Sequence, residues 1–230
     1  MSKVLVTGGS GFVGGHALRT LLEGGHTVTT TVRSAGKEMA VRNLLSVAGA
    51  PLDHLRFVIA DLADDKGWAD AASGCDFVLD VASPFAKSAP ENEDEFVAMA
   101  RDGTPTSSGW WPTSSFAAVG YAHPQQEKPF TEEDWTDPKG ADVQPYIRSK
   151  VVAERAAWEF IRQKGRGLEL AVVNPVGIFG PVLGPDLSGS IEIIQRMLAG
   201  AIPACPRIYF GVVDVRDVVD LRLGLVNVTP

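Results

Sequence analysis

The chain has 230 residues, of which 45% are hydrophobic and 21% are charged, and its formal net charge is −7. This length and composition are typical of a globular protein with one large core, with or without a small appendage. The negative charge argues against a general nucleic-acid or anionic-membrane binder, and we expect no transmembrane helix because no apolar run reaches about 18 residues.

The N-terminal segment Lys3–Gly14 carries the most information about function. It predicts a short apolar strand, a glycine-rich turn and the start of an amphipathic helix. Gly8, Gly11 and Gly14 have GxxGxxG spacing, which would permit a sharp turn, a close approach of a pyrophosphate and close packing of the helix. The positive end of the helix would then face the phosphates. The segment therefore predicts a dinucleotide site, with an ordinary strand-to-helix turn as the alternative.

Strands and helices alternate along the rest of the chain. Strands are predicted over His26–Val32, Leu55–Ala60, Asp76–Val81, Leu168–Val173 and Ile208–Val213, and helices over Glu38–Val47, Trp68–Ala72, Tyr146–Lys164, Ser188–Gly200 and Val215–Leu225. This alternation predicts an α/β fold, a Rossmann-like doubly wound parallel sheet whose ligands bind at the carboxyl ends of the strands. Residues 1–175 would form the nucleotide-binding domain, and residues 176–230 a partial, truncated substrate-binding region interleaved with it.

The end of the second predicted strand indicates which dinucleotide binds. Arg33 follows this strand, and Lys37 is nearby. An acidic residue at this point would hold the ribose hydroxyls of NAD, whereas a guanidinium can pair with a 2′-phosphate. The sequence therefore favours NADP(H) over NAD(H), with a solvated surface arginine as the alternative.

The segment Tyr146-Ile-Arg-Ser-Lys150 supplies candidate catalytic residues. A spacing of four residues places Tyr146 and Lys150 on the same face of a helix. An ammonium beside a phenol favours the phenolate, which makes Tyr146 a candidate general acid. Ser115 is the third candidate, because its hydroxyl could hydrogen-bond the oxygen of a substrate carbonyl group.

Cysteine usage and the N-terminus indicate a cellular setting. Cys75 and Cys205 lie far apart and lack metal-ligand spacing, so both are expected to be buried thiols in a reduced cytoplasmic environment. The first strand begins at once, which leaves no room for a signal peptide.

These motifs together resemble the extended short-chain dehydrogenases/reductases, in the branch of dihydroflavonol, cinnamoyl-CoA and microbial aldehyde or ketone reductases. The segments that carry the resemblance are Thr7–Gly14, Asp61–Leu62, Val81–Phe85, Thr113–Ser115, Tyr146–Lys150, Asn174–Pro181 and Val213–Asp217. The resemblance extends over nearly the whole chain.

The resemblance implies NADPH-dependent reduction of a small hydrophobic or aromatic aldehyde or ketone. Tyr146 would protonate the carbonyl oxygen, Lys150 would hold the ribose and tune Tyr146, and Ser115 would orient the carbonyl group. The implied cofactor-binding residues are Thr7, Gly8, Gly11, Phe12, Val13, Gly14, Arg33, Lys37, Asp61, Leu62, Val81, Ala82, Ser83, Pro84, Tyr146, Lys150, Asn174, Pro175 and Val176. We expect a monomer or homodimer without a metal, nucleic-acid or membrane partner.

Two departures from the family affect these expectations. The family has a helix and a central strand between Thr104 and Thr113, where this chain has only Pro105–Pro112. Two prolines and a glycine suit neither element, so we expect irregular structure around Thr104–Ser115 and a poorly placed Ser115. Trp110 and Trp111 would then fill the space of a missing strand rather than line a substrate pocket.

The second departure is the C-terminus, because the family continues beyond the position of Pro230. The chain could therefore be a catalytically impaired deletion variant or fragment that still binds the cofactor. A nucleotide-sugar epimerase or dehydratase is a further alternative, because such enzymes share the fold and the tyrosine–lysine pair.

Overall fold

The computed structural model describes residues 1–61, 64, 66–82, 109–141, 143–165, 167–184, 187–202, 204, 207 and 209–227. Its strands are β1 (Lys3–Val6), β2 (Thr27–Val32), β3 (Leu55–Ile59), β4 (Phe77–Asp80), β5 (Gly109–Pro112), β6 (Glu169–Leu170), β7 (Gly177–Phe179) and β8 (Val212–Asp214). Its α-helices are α1 (Phe12–Glu23), α2 (Ala35–Val47), α3 (Trp68–Ala72), α4 (Pro145–Lys164), α5 (Gly189–Leu198) and α6 (Val215–Asn227). A 3₁₀ turn spans Phe116–Ala118.

Six of these strands form one parallel sheet in the order β3-β2-β1-β4-β5-β6. The chain order reverses between β1 and β4, which makes their carboxyl ends the expected ligand site of a doubly wound sheet. Strands β7 and β8 pair in parallel in a separate two-stranded sheet. The prediction of a Rossmann-like doubly wound sheet is confirmed.

Alternate residues of the central strands fill cores on opposite faces of the sheet. Val4 and Val6 of β1 pack with apolar residues of α1 and α2, whereas Leu5 packs on the other side, in the core that contains Trp68 of α3. All three β1 side chains are buried. A strand buried on both faces explains the continuous apolar run at the start of the sequence.

The expected irregular segment contains a regular central strand, so that part of the prediction is wrong. Strand β5 pairs with β4 on one side and with β6 on the other. Trp110 and Trp111 are residues of this strand, and their buried side chains enter the two opposite cores. Pro112 is the last strand residue, where the ladder continues through a hydrogen bond from the N–H of Thr113 to the carbonyl oxygen of Asp80.

Four residues are therefore enough for this strand, because aromatic burial and pairing on both sides compensate for the low strand propensity of Gly109 and Pro112. The residues before it, 83–108, lie outside the described part of the chain. Ser115 follows β5 closely, so the reason for expecting it to be poorly placed does not apply.

Two other predicted strands differ in extent from the observed ones. The predicted strand Leu168–Val173 is reduced to the two residues of β6, and the predicted strand Ile208–Val213 is replaced by β8. Cys75 is buried and free, as predicted, and burial raises the pKa of its thiol, whereas Cys205 lies outside the described residues. Among the helices that the structure describes, none combines the length and apolar character of a membrane span.

Candidate active site

The glycine-rich turn after β1 is packed too tightly to accept side chains at two of its three spaced glycines. Gly8 has a φ angle of +66°, which favours glycine, and a Cβ on it would meet the backbone of Ala82 at 2.8 Å. A Cβ on Gly14 would overlap the carbonyl oxygen of Gly8. The turn therefore lies against the end of β4, at the point where the strand order reverses.

The first turn of α1 fits the phosphates of a dinucleotide. The helix begins at Phe12, its N-cap is Gly11, and no side chain caps it. The N–H groups of Phe12, Val13 and Gly14 have no carbonyl partner within the helix, and the first turn contains no acidic residue. Uncapped N–H groups at the positive end of a helix are suitable donors to an anion.

The side chain of Thr7 is buried and stabilises this turn through hydrogen bonds. Its buried hydroxyl donates to Oδ1 of Asp80 at 2.6 Å and accepts from the N–H groups of Val81 at 3.0 Å and Ala82 at 2.9 Å. These bonds tie the end of β1 to the end of β4. Ser83 and Pro84, which were predicted to extend this side of the site, lie outside the described residues.

Basic side chains follow β2 at the same edge of the sheet. Arg33 is exposed immediately after β2, and Lys37 lies half-buried in the first turn of α2. Asp61 follows β3 and is exposed, and its carbonyl oxygen accepts a hydrogen bond from the indole of Trp68 at 3.0 Å. Leu62 lies outside the described residues.

Helix α4 brings Tyr146 and Lys150 together, as predicted. The helix starts at Pro145, a favoured residue in a first helical turn, and Nζ of Lys150 lies 5.8 Å from the centroid of the Tyr146 ring. Lys150 is 5% exposed whereas Tyr146 is 37% exposed. Tyr146 is therefore partly accessible, whereas Lys150 is almost fully buried next to its ring.

Ser115 is fixed by backbone bonds on both sides. The N–H of Ser114 donates to Val173, and the N–H of Phe116 donates to Pro175, each at 3.0 Å. The side-chain oxygen of Ser115 accepts from the N–H of Ala117 at 3.2 Å. Ala117 packs in a small core with Ile147, the residue after Tyr146, so the turn that carries Ser115 lies against the start of α4.

The predicted residues Asn174, Pro175 and Val176 follow β6, and Asn174 contacts α4. Nδ2 of Asn174 donates to Oε2 of Glu154, which lies one helical turn beyond Lys150, at 2.9 Å. The other amide atom, Oδ1, is buried and has no hydrogen-bond partner within the described part of the chain. Pro175 and Val176 line a groove of about 950 Å³ beside β6.

A cluster of buried charges at the end of β4 was missed by the sequence predictions. Asp80, Lys150 and Arg222 of α6 are all almost fully buried. Burial raises the pKa of Asp80 to about 6, against the hydrogen bond from Thr7 and the charges of Arg222 and Lys150. Burial lowers the pKa of Lys150 to about 8 and that of Arg222 to about 10, and Asp80 opposes both changes.

Helical periodicity does indicate that Arg222 is buried. It follows Val215, Val218 and Val219 at the spacing that shares one helix face, and all three valines are buried. Asp80 ends the otherwise apolar run of β4. A charge that continues a buried apolar pattern is the signal that could have identified both residues.

Comparisons with known proteins identify the family of this chain. Residues 4–104 match the NAD dependent epimerase/dehydratase family. Tetraketide alpha-pyrone reductase 2 of Arabidopsis thaliana is 32% identical over 234 residues, which cover 95% of this chain and 72% of that protein. Cinnamoyl-CoA reductase CAD2 of Medicago truncatula is 31% identical, with 96% of this chain and 71% of that protein covered.

A comparison with solved structures also finds reductases. The yeast methylglyoxal/isovaleraldehyde reductase Gre2, solved in complex with NADPH, superposes with a TM-score of 0.78 at 25% identity, over 96% of this chain and 73% of that chain. One conclusion follows from three findings: sequence identity above 30% along nearly the whole chain, the parallel sheet, and the glycine-rich turn where the strand order reverses. The chain belongs to the extended short-chain dehydrogenase/reductase family.

Proposed function

We propose that this chain is an NADPH-dependent reductase that converts the carbonyl group of a small hydrophobic or aromatic aldehyde or ketone to an alcohol. The observation that carries the proposal is the exposed Tyr146 phenol beside the buried Lys150 ammonium. The uncapped start of α1, which suits a dinucleotide, supports it. Relatives named as reductases of a cinnamoyl thioester and a pyrone, and one solved with NADPH, support it further.

The residues of this chain fit the cofactor in three places. The N–H groups at the start of α1 would hold the pyrophosphate, Arg33 and Lys37 the 2′-phosphate, and Lys150 the ribose. When bound, NADPH supplies the hydride that reduces the carbonyl carbon.

The side chains of the chain supply the proton and the orientation. Tyr146 donates its phenolic proton to the carbonyl oxygen as that oxygen gains negative charge. The positive charge of Lys150 stabilises the phenolate that remains. Ser115 accepts the N–H of Ala117 through its oxygen, so its own O–H is not used in that bond and can donate to the same carbonyl oxygen.

Aromatic side chains beside Ser115 support a hydrophobic substrate. The ring centroid of Phe116 lies 5.8 Å from that of Phe130 and 6.5 Å from that of Tyr121. Such a surface favours aromatic or aliphatic carbonyl compounds over charged ones. Trp110 and Trp111 contribute nothing to it, because both are buried within the sheet.

A kinetic assay with a matched binding assay tests the proposal. NADPH oxidation is followed by absorbance with aromatic aldehydes, aliphatic aldehydes and ketones, and NADPH affinity is measured by fluorescence titration. We expect turnover with hydrophobic carbonyl compounds and tighter binding of NADPH than of NADH. NADPH binding without turnover on any carbonyl compound would contradict the proposal and support an impaired chain. Conversion of nucleotide sugars alone would contradict it in favour of an epimerase or dehydratase.

A further inference from the structure

Asp80 lies where three elements bring charged groups together inside the protein. Its carboxylate, at the end of β4, is fixed by the hydrogen bond from Thr7 at 2.6 Å. Arg222 reaches the same region from α6 and donates through Nη2 to the hydroxyl of Thr113, and Lys150 reaches it from α4. Asp80, Lys150 and Glu154 line one cavity of about 20 Å³, so the three residues border the same small space.

We propose that Asp80 is the counter-charge that keeps Lys150 an ammonium ion in its buried position. In the proposed reductase, Asp80 is therefore a positioning residue that acts through Lys150. The link to catalysis rests on the proposed function, whereas the link to the charge of Lys150 does not.

The argument begins with the cost of burying an ammonium ion. A buried lysine without a counter-charge tends to lose its proton, because a low dielectric environment disfavours the charged form. Burial is the largest influence on the pKa of Lys150, and Asp80 is the largest influence that opposes it. Arg222 of α6 acts with burial, and Glu154 on α4 itself acts with Asp80.

Asp80 and Lys150 are both charged over one range of pH. The pKa of Asp80 is about 6, so its carboxylate is ionised above that pH. The pKa of Lys150 is about 8, so its ammonium is retained below that pH. Between these values Asp80 and Lys150 carry opposite charges, which is the state in which Lys150 can hold a ribose and stabilise a phenolate.

A purely structural role for Asp80 makes a different prediction. If Asp80 served only to neutralise Arg222, its removal would destabilise the fold but would leave the titration of Lys150 unchanged. The charge state of Lys150 therefore distinguishes the two roles without substrate or cofactor.

Nuclear magnetic resonance of the protein labelled with ¹³C at lysine Cε measures this charge state, and the Lys150 signal is assigned from its loss in Lys150→Met. In the unmodified protein we expect a midpoint near pH 8 and a second inflection near pH 6, as Asp80 ionises. Asp80→Asn should lower the midpoint of Lys150 by about one pH unit or more, and Asp80→Glu should restore it.

The matched control is Asp76→Asn, which changes the exposed carboxylate of Asp76 next to the opposite end of β4. It accepts a hydrogen bond from the N–H of Lys3, a bond that asparagine can also accept, so the Lys150 midpoint should not change. Because Asp80→Asn leaves Arg222 buried opposite a neutral side chain, the double variant Asp80→Asn/Arg222→Gln is a second test. Its midpoint should lie below that of the unmodified protein and above that of Asp80→Asn, because Asp80 influences Lys150 more than Arg222 does.

An unchanged Lys150 midpoint in the folded variants, or the absence of any second inflection below the main midpoint in the unmodified protein, would overturn the proposal. The second observation needs no variant, so it decides the question even if the variants do not fold. If no carbonyl compound is reduced but the midpoint falls in Asp80→Asn, the proposed reductase function fails while the coupling of Asp80 to Lys150 stands. If the enzyme is active, the loss of activity at alkaline pH should begin at a lower pH in Asp80→Asn.

Discussion

Gly14 in the first turn of α1 lies so close to the carbonyl oxygen of Gly8 that a methyl group on Gly14 would overlap it. The turn after β1 and the start of α1 fit together only because residue 14 lacks a side chain. Gly15, its neighbour in the same helix, has ordinary space, because its Cβ would meet its nearest neighbour, Leu44, at 3.6 Å.

Gly14→Ala should therefore weaken NADPH binding, by about tenfold or more, and should destabilise the fold by roughly 1–3 kcal/mol. Gly15→Ala is the control, and it should leave affinity unchanged and stability unchanged or increased by up to about 1 kcal/mol. Fluorescence titration and urea unfolding measure the two effects. Equal behaviour of the two variants would contradict the role given to Gly14.

Arg33 should determine the choice between the two nicotinamide cofactors. Arg33→Ala removes charge-assisted bonds to the 2′-phosphate and should raise the dissociation constant of NADPH by about tenfold, with little effect on NADH. Arg19→Ala, which changes a half-buried arginine in the middle of α1 that pairs with Glu23, should alter neither constant. If Arg33→Ala weakens both cofactors equally, the 2′-phosphate is not its partner.

The buried ammonium of Lys150 predicts a pH dependence of cofactor binding. Burial lowers its pKa to about 8, so the charged form is present below that pH and is lost as the pH rises through it. NADPH affinity should fall across the same range, and Lys150→Met should bind weakly at pH 7 without this transition. Lys164→Met, at the exposed end of the same helix, should keep this pH transition. If the transition disappears in Lys164→Met, Lys150 is not the titrating group.

The central position of β5 predicts a large stability effect at Trp110. This side chain is 1% exposed, so Trp110→Ala should lower the free energy of unfolding by about 3–5 kcal/mol. Trp158→Ala, on α4, is the control, because its side chain is 40% exposed and should cost much less. Urea unfolding of both variants measures the difference, and a small effect at Trp110 would argue against a buried β5.

The sequence was sufficient for the doubly wound parallel sheet and for the juxtaposition of Tyr146 and Lys150. Continuous apolar strands, the glycine spacing and the i, i+4 pair Tyr146 and Lys150 are local patterns with few structural interpretations. The helix predicted over Trp68–Ala72 has the observed bounds. Local pattern was sufficient in these places because the same residues determine both the element and its burial.

Sequence reasoning failed where tertiary contacts decide the structure. The glycine and the proline of Gly-Trp-Trp-Pro have poor strand propensity, yet β5 forms because two neighbouring strands supply hydrogen bonds and two cores accept its tryptophans. The charges of Asp80 and Arg222 lie 142 positions apart in the sequence, so only the fold brings them into one cluster with Lys150.

The most direct test of the proposed reductase is the removal of one oxygen atom, in Tyr146→Phe. Because only the proton donor is lost, kcat should fall by about 10²- to 10⁴-fold while the dissociation constant of NADPH stays unchanged. Tyr209→Phe removes the same atom from a fully exposed tyrosine and should keep full activity. Near-normal turnover in Tyr146→Phe would contradict the account, because the carbonyl oxygen would then take its proton from another group.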